Sequence, residues 1–301
     1  MIHPLIAARF FNTPLMAHPG KAAAILVAIG GRIAGSDLVV EGAEAINHVA
    51  FSGGRPSMGT LSGRIERRAG AGAIYDMVGN VAVIAIEGTL VHKGGWLDMY
   101  SGETSYQGIQ AQVQRAMRDP AVRGVCFEVD SFGGEVSGGF ETAAMIRELS
   151  AVKPTMSILT DWACSAGYLL ASAARQVIVP ETGGAGSIGV IAMHTDMSAA
   201  LASAGLKVTI LKAGAHKSDF NPTEPLPEDV ATRYLAEIEA IRVAFCETVA
   251  AQRGGRISFD DAMATEAEVY RGPDAVKTGL ADATGNPFEA FQAFANLINR
   301  A

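Results

Sequence analysis

Length, composition and charge narrow the classes of function that this chain can have. Its 301 residues are 49% apolar and 18% charged and include 34 glycines, which is typical of a well-packed α/β protein and excludes a disordered chain. The net charge of −7 gives no support for a nucleic-acid-binding surface. Three widely spaced cysteines, Cys126, Cys164 and Cys246, match neither a disulfide framework nor a metal site, and they favour a reducing compartment.

The first 75 residues are predicted to form an extension that precedes the main domain. Residues 1–50 are rich in alanine and are expected to be helical, whereas residues 52–72 read SGGRPSMGTLSGRIERRAGAG, which is typical of a mobile linker. The apolar run at residues 22–31 is too short to cross a bilayer, so we expect no membrane span. The predicted domains are therefore residues 1–75 and 76–301.

From residue 81 onwards, strand-like and helix-like segments alternate with short connections. Continuous β-branched runs such as VAVIAIEG at residues 81–88 are typical of strands that are buried on both faces. We predict strands over residues 81–88, 124–130, 155–160, 176–180 and 207–211, and helices over residues 108–118, 138–149, 163–175 and 227–253. This order predicts a mainly parallel sheet wrapped by helices.

The segment DSFGG, at residues 130–134, directly follows the second of these strands. Adjacent glycines allow backbone conformations closed to other residues and leave their N–H groups accessible to a ligand. Two amides aimed at one point are what a developing oxyanion requires. The alternative interpretation is an ordinary turn between a strand and a helix.

Ser165 opens the predicted helix at residues 163–175, in the segment DWACSAGY. A hydroxyl in the first turn of a helix lies in the positive end of the helix dipole, which favours alkoxide-like charge, and the N–H of Ala166 would lie beside the same oxyanion. The alternative is that Ser165 only caps the helix. Cys164 is a rival nucleophile, which we interpret as a small buried residue.

Lys217, in the segment GAHKSD, follows the predicted strand at residues 207–211. A lysine accepts a proton only when it is neutral, and burial without a paired carboxylate favours the neutral amine. The alternative is an ordinary surface lysine. His216 and His194 are alternative bases, each of which would need an acid such as Asp219 or Asp196 to hold it.

These segments, in this order, resemble the signal peptide peptidase A family, the S49 serine peptidases. The resemblance runs from about residue 81 to residue 282 and is carried by DSFGG, CSAGYLLASAA, GSIGV, GAHKS and YRGPDAVKTGLAD. It implies a ClpP/crotonase-like α/β fold and a catalytic dyad of Ser165 as nucleophile and Lys217 as base. It also implies an oxyanion hole formed by Gly134 and Ala166, with Gly133 beside them. Ser187 is expected to orient the lysine, and no metal or organic cofactor is implied.

Four further segments, NTPLMAHP, EGTLVHKGG, YSGETSYQGI and HKSDFNP, are similar to the capsid-assembly peptidases of lambda-like tailed phages within that family. This similarity implies an endopeptidase that cleaves scaffold, itself or portal protein inside the procapsid, in the host cytoplasm. The resemblance to the S49 family also implies a homo-oligomeric ring, because members with a single peptidase unit form rings, in some of which neighbouring subunits share sites. The net charge of −7 predicts no nucleic-acid partner. The alternatives are a bacterial peptidase that degrades signal peptides, a crotonase-like acyl-CoA enzyme, and an inactive structural capsid component.

Overall fold

A mainly parallel ten-stranded sheet forms the centre of the protein in a computed structural model, which describes residues 13–19, 74–93 and 103–300. The strands are β1 (Leu15–Ala17), β2 (Asp76–Val78), β3 (Val81–Val91), β4 (Glu103–Ser105), β5 (Gly124–Glu135), β6 (Thr155–Cys164), β7 (Gln176–Val179), β8 (Gly184–Gly186), β9 (Val269–Arg271) and β10 (Ala283–Thr284). The helices are α1 (Tyr106–Arg118), α2 (Gly139–Val152), α3 (Ala166–Ala171), α4 (Ser198–Ser203), α5 (Glu228–Arg253), α6 (Phe259–Ala264), α7 (Gly272–Lys277) and α8 (Pro287–Arg300).

The main path of the sheet runs β10-β7-β6-β5-β3-β2, and the pairs from β3 to β10 along this path are parallel. Because side chains alternate along a strand, β3 serves two cores. Ala82, Ile84 and Ile86 join the larger core, which includes residues of α1, α2 and α3, whereas Val81 and Val83 pack with α8 on the opposite face. The prediction of a mainly parallel sheet wrapped by helices is therefore confirmed.

Two predicted elements differ from the structure. The helix expected at residues 163–175 begins only at Ala166, because β6 continues to Cys164. Residues 207–211 belong to no strand within the part of the chain that the structure describes, and Val208, Ile210 and Leu211 are 48%, 45% and 94% exposed. A β-prone sequence forms a strand only when a neighbouring strand takes up its backbone hydrogen bonds, so that prediction is wrong for the single chain.

The predicted apolar stripe of the long helix, α5, is buried only in its C-terminal half. The stripe consists of Leu235, Ile238, Ile241, Phe245 and Val249. Phe245 and Val249 are fully buried, whereas Leu235 is 62% exposed. The N-terminal half of α5 therefore presents apolar surface that this chain does not cover.

The N-terminal extension enters the sheet at one point. Residues 15–17, which were predicted to be helical, form β1 and pair with β5. Pro14 and Pro19 flank this segment, and a residue that precedes proline is disfavoured in helical conformation. The remaining predictions for residues 1–50 and for the linker at residues 52–72 lie outside the described residues. Among the helices described, none is both long enough and apolar enough to cross a bilayer.

A buried ion pair connects α5 to the C-terminal part of the sheet. Arg253 is fully buried, and its guanidinium donates to the Asp282 carboxylate at 3.1 Å and to the Gly279 carbonyl at 3.0 Å. The same carboxylate accepts from the backbone N–H of Val177, in β7, at 2.7 Å. These bonds connect the end of α5 to the edge of the sheet at β7 and β10.

Replacement of Arg253 by methionine is expected to lower the free energy of unfolding by about 2 kcal/mol, because the partly buried Asp282 carboxylate loses one charged hydrogen-bond partner and keeps, among the described residues, only Arg256 as an ion pair. Chemical denaturation measures the effect. The matched control is Lys277→Met, which removes an exposed ion pair to Asp274 and should leave the midpoint nearly unchanged. Equal effects of the two substitutions would contradict a structural role for the buried pair.

Candidate active site

The DSFGG segment is part of strand β5 rather than a turn after it. β5 runs through the motif to Glu135, and its pairing register shifts against β3 between Gly88 and Thr89 and against β6 between Val129 and Ser131. Such irregularities bend a strand and re-aim its backbone. The bent end of β5 lies beside the C-terminal end of β6, where parallel α/β sheets place their reactive groups.

Gly133 and Gly134 allow three backbone segments to approach one another. A Cβ on Gly134 would lie 1.8 Å from the carbonyl oxygen of Leu90, in β3. A Cβ on Gly133, whose φ is +95°, would lie 2.1 Å from the carbonyl oxygen of Met16, 2.9 Å from Cβ of Ser165 and 3.1 Å from N of Ala166. Neither position has room for a side chain, so glycine is required at both.

Ser165 joins β6 to α3 in a backbone conformation that few residues with a side chain adopt. Its φ is 56° and its ψ is −125°, and its side chain makes no capping hydrogen bond, so the interpretation of Ser165 as a simple helix cap is wrong. Such a conformation costs about 1–3 kcal/mol and is characteristic of functional sites. It is also the backbone feature of nucleophiles placed on a sharp turn from strand to helix.

The glycine-rich segment at residues 184–189 holds Ser165 in place. The backbone N–H of Ser165 donates to the carbonyl of Gly186 at 2.8 Å, and its hydroxyl donates to the carbonyl of Gly189 at 3.4 Å. Ser187, between these two glycines, is buried and has a φ of 55°. The structure thus brings Ser187 into the backbone loop that contacts the serine.

Two of the three predicted oxyanion donors, Ala166 and Gly134, lie next to Gly133 and Met16. The N atom of Ala166 lies 3.1 Å from the position of a Cβ on Gly133, and the Met16 carbonyl oxygen lies 2.1 Å from that position. The His18 N–H donates to the Phe132 carbonyl at 2.9 Å, and hydrogen-bonded pairs alternate along antiparallel strands. Met16 and Gly134, which are opposite each other in that register, therefore form a hydrogen-bonded pair that directs the Gly134 N–H at the Met16 carbonyl.

The third predicted donor, Gly133, has a different role. Its N–H donates to the hydroxyl of Ser131 at 3.1 Å, and that hydroxyl donates to the carbonyl of Gly88 at 2.7 Å. Because its N–H is already hydrogen-bonded to Ser131, Gly133 is not available as an oxyanion donor. Its lack of a side chain instead allows Met16 and Ser165 to approach closely.

Lys217 is not joined to Ser165 by any hydrogen bond among the described residues. It lies in a segment, residues 205–217, that is exposed throughout, whereas Ser165 is only 1% exposed. Its backbone N–H donates to the Gly214 carbonyl in a local turn. The geometry therefore assembles the serine half of the predicted dyad within one chain and leaves the lysine half at the surface.

Neither alternative histidine base bonds to Ser165 in the described part of the chain. His216 is exposed, and its ring nitrogen lies 3.2 Å from the Asp219 carboxylate. The ring of His194 interacts with the Asn221 carbonyl at 3.0 Å. His216 thus has the acidic partner that a triad requires, whereas His194 contacts a backbone carbonyl, and neither histidine is joined to the serine in this part of the chain.

Cys164 is not suited to act as the nucleophile. It is fully buried, and burial, followed by the charge of Asp130, raises the pKa of its thiol to about 12. A thiol with such a pKa is almost entirely protonated at neutral pH, whereas only the thiolate is strongly nucleophilic.

Sequence reasoning missed two features of this site. Glu87 and Asp130 are neighbours in the β3–β5 register, and burial, followed by the charge of Asp130, raises the pKa of Glu87. β1 is the second feature, and its only local signal was the pair of flanking prolines.

Among the described residues, no group of three or more His, Cys, Asp or Glu side chains is arranged to bind a metal ion.

Comparisons with known proteins identify the family of this chain. The family model described as "Peptidase family S49" matches residues 147–300. The head-tail preconnector protein GP5 of Enterobacteria phage P21 is 38% identical over 297 residues, which are 98% of this chain and 57% of that protein. The capsid assembly protease C of Escherichia phage lambda is 35% identical over 303 residues, which are 98% of this chain and 66% of that protein. The chain therefore spans less than two thirds of the length of either relative.

Among solved structures, a putative enoyl-CoA hydratase/isomerase from Acinetobacter baumannii aligns with a TM-score of 0.45 at 14% identity, covering 75% of this chain and 80% of that one. A likeness of this extent carries no argument about function. The family match, which covers half of the chain and includes the segment that contains Ser165, is the decisive finding. This chain belongs to peptidase family S49.

Proposed function

We propose that this protein is a serine endopeptidase in which Ser165 is the nucleophile and Lys217 is the general base. The observation that carries the proposal is the strained backbone of Ser165 at the turn from β6 to α3, beside the amides of Gly134 and Ala166. Membership of the S49 family supports the same assignment.

The residues support acyl transfer in two steps. The Ser165 hydroxyl attacks a peptide carbonyl while Lys217 takes its proton, and the amides of Gly134 and Ala166 stabilise the resulting oxyanion. Lys217 passes the proton to the leaving amine, which breaks the peptide bond. Water, deprotonated by the same lysine, then hydrolyses the acyl ester and restores the serine.

Lys217 would reach the Ser165 of a neighbouring subunit in a homo-oligomeric ring. Three observations support this arrangement: Lys217 is exposed, the four apolar side chains within residues 206–211 are exposed, and Leu235 in α5 is uncovered. Apolar surface of this kind is typical of protein interfaces. Enclosure within an interface would also remove water from the lysine and favour its neutral form.

The substrates would be polypeptides of an assembling phage head, namely scaffold, portal protein or the peptidase itself. The relatives from phages P21 and lambda, which align with 98% of this chain, support this role, because their names describe a head-tail preconnector protein and a capsid assembly protease. The corresponding location is the procapsid inside the host cell.

Ser165→Ala and Lys217→Ala are each expected to lower the turnover of fluorescently labelled casein by a factor of about 10³ or more, because each removes one member of the dyad. Thermal unfolding should show that both variants remain folded. The matched controls are Cys164→Ala, which removes the neighbouring thiol, and Lys212→Ala, which removes an exposed lysine from the same segment. Near-normal turnover by the Lys217 variant would eliminate it as the base.

Mixing the two inactive variants tests whether subunits share sites. A ring that contains both should regain about a quarter of the wild-type activity, because one interface in four then joins an intact serine to an intact lysine. The measurement is the turnover of casein after the variants are dissociated and reassembled together. If the mixture stays inactive although mixed rings form, serine and lysine act within one chain.

A further inference from the structure

Strand β1 fills a slot between β5 and the loop that follows β8. On one side, residues Leu15–Ala17 pair antiparallel with β5, opposite residues 133–135. On the other side, Leu15 exchanges two backbone hydrogen bonds with Ile191, at 2.8 Å and 2.9 Å. Both edges of the strand are therefore bonded to neighbouring backbone, as they are when an extended peptide binds by strand addition.

The carbonyl of Met16 occupies the place where a reacting carbonyl would lie. Its oxygen, Cβ of Ser165 and N of Ala166 all lie within 3.1 Å of one point, the position of a Cβ on Gly133. The register also directs the Gly134 N–H at this oxygen. The Met16 carbonyl thus faces the Gly134 N–H, and its oxygen lies beside the same face of Gly133 as Cβ of Ser165 and N of Ala166.

The side chain of Met16 fills an apolar pocket next to the serine. Met16 is fully buried, and the position of a Cβ on Gly139 lies 3.0 Å from its Cε, 3.4 Å from the Tyr106 hydroxyl and 3.6 Å from Cδ2 of Leu169. Leu15 and Ala17 belong to a separate cluster. The pocket therefore holds one side chain of the strand, and that side chain is long, apolar and unbranched at Cβ.

We propose that Leu15–Ala17 is a built-in substrate mimic that occupies the peptide-binding cleft and must leave before a substrate can bind. This inference rests on the proposed function, because the mimicry has meaning only if Ser165 is the nucleophile. The substrate is a polypeptide that binds as an antiparallel strand in the register of β1. Its residue before the cleaved bond is apolar and unbranched, in the position that Met16 now holds.

An ordinary structural strand would not need these features together. Strand addition alone explains the bonds to β5 and Ile191, including that of the Gly134 N–H to the Met16 carbonyl, but not the position of Ser165 and Ala166 beside the same glycine pair. Core packing alone explains the burial of Met16 but not the position of its carbonyl beside Ser165. A bound peptide analogue accounts for both, and it also explains why a proposed nucleophile is only 1% exposed.

Reaction of Ser165 with a fluorophosphonate in the full-length chain tests the proposal. In Met16→Asp, a carboxylate replaces the thioether in an apolar pocket, which drives the strand out of the cleft. We expect the second-order rate of labelling to rise at least about tenfold over the wild type. The matched control is Pro19→Asp, which places the same charge at an exposed position of the same segment and should leave the rate unchanged.

A synthetic peptide with the sequence of residues 13–19 provides the converse test. It should slow the labelling of Met16→Asp, whereas the same peptide with aspartate in place of methionine should not. If Met16→Asp remains folded and is labelled no faster than the wild type, the proposal is overturned. If no variant is labelled at all, the proposed function itself fails, so the two failures are distinguishable.

Hydrogen exchange of the unmodified chain covers the case in which Met16→Asp does not fold. We expect the amides of Leu15 and Met16 to exchange faster than those of Ile84 in β3 and Phe127 in β5, because the mimic opens locally. Labelling with the fluorophosphonate should remove their protection, since the phosphonyl group takes the place of the Met16 carbonyl. Exchange of Leu15 and Met16 only through global unfolding would make β1 a structural strand and overturn the proposal.

Discussion

The close approach of backbones at Gly133 and Gly134 is the constraint on which the proposed site depends. Three chain segments meet there: β3 through the Leu90 carbonyl, β1 through the Met16 carbonyl, and the turn after β6 through Ser165. A single methyl group at either glycine would occupy the same space as a carbonyl oxygen. The absence of side chains at these two glycines therefore allows the Ala166 amide, Ser165 and the extended segment that contains Met16 to lie side by side.

The two residues of the proposed dyad lie in different surroundings. The sheet fixes the position of Ser165 within buried backbone, whereas Lys217 lies in an exposed segment. Ser165 is held by the backbone of residues 184–189 and lies beside the bent end of β5, and most of these residues are buried. Lys217 follows a run of exposed apolar residues that has the composition of a strand but no partner strand in this chain. The exposed apolar residues and the absence of Lys217 from the surroundings of Ser165 have one common explanation in the proposed interface between subunits, which would cover the first and supply the second.

Most of the sheet could be predicted from local sequence patterns. The β-branched runs at Val81 and Gly124 start where β3 and β5 start, because burial on both faces selects such residues at every position. The predictions failed where a strand depends on distant partners. β5 and β6 continue beyond their apolar runs into the motifs, and residues 207–211 lack the neighbour that a strand requires.

The sequence by itself determined the fold class, the family and the identity of the glycines and the serine, because these follow from the order of short motifs and from residue chemistry. Only the tertiary structure decided what these residues do to one another. It assigned the Gly133 amide to Ser131, buried Ser165 while leaving Lys217 exposed, and paired Met16 with Gly134. The physical reason is that burial and strand pairing depend on distant parts of the chain, as Met16 and Gly134 do across more than a hundred positions, and no local pattern shows which distant backbone will be the neighbour.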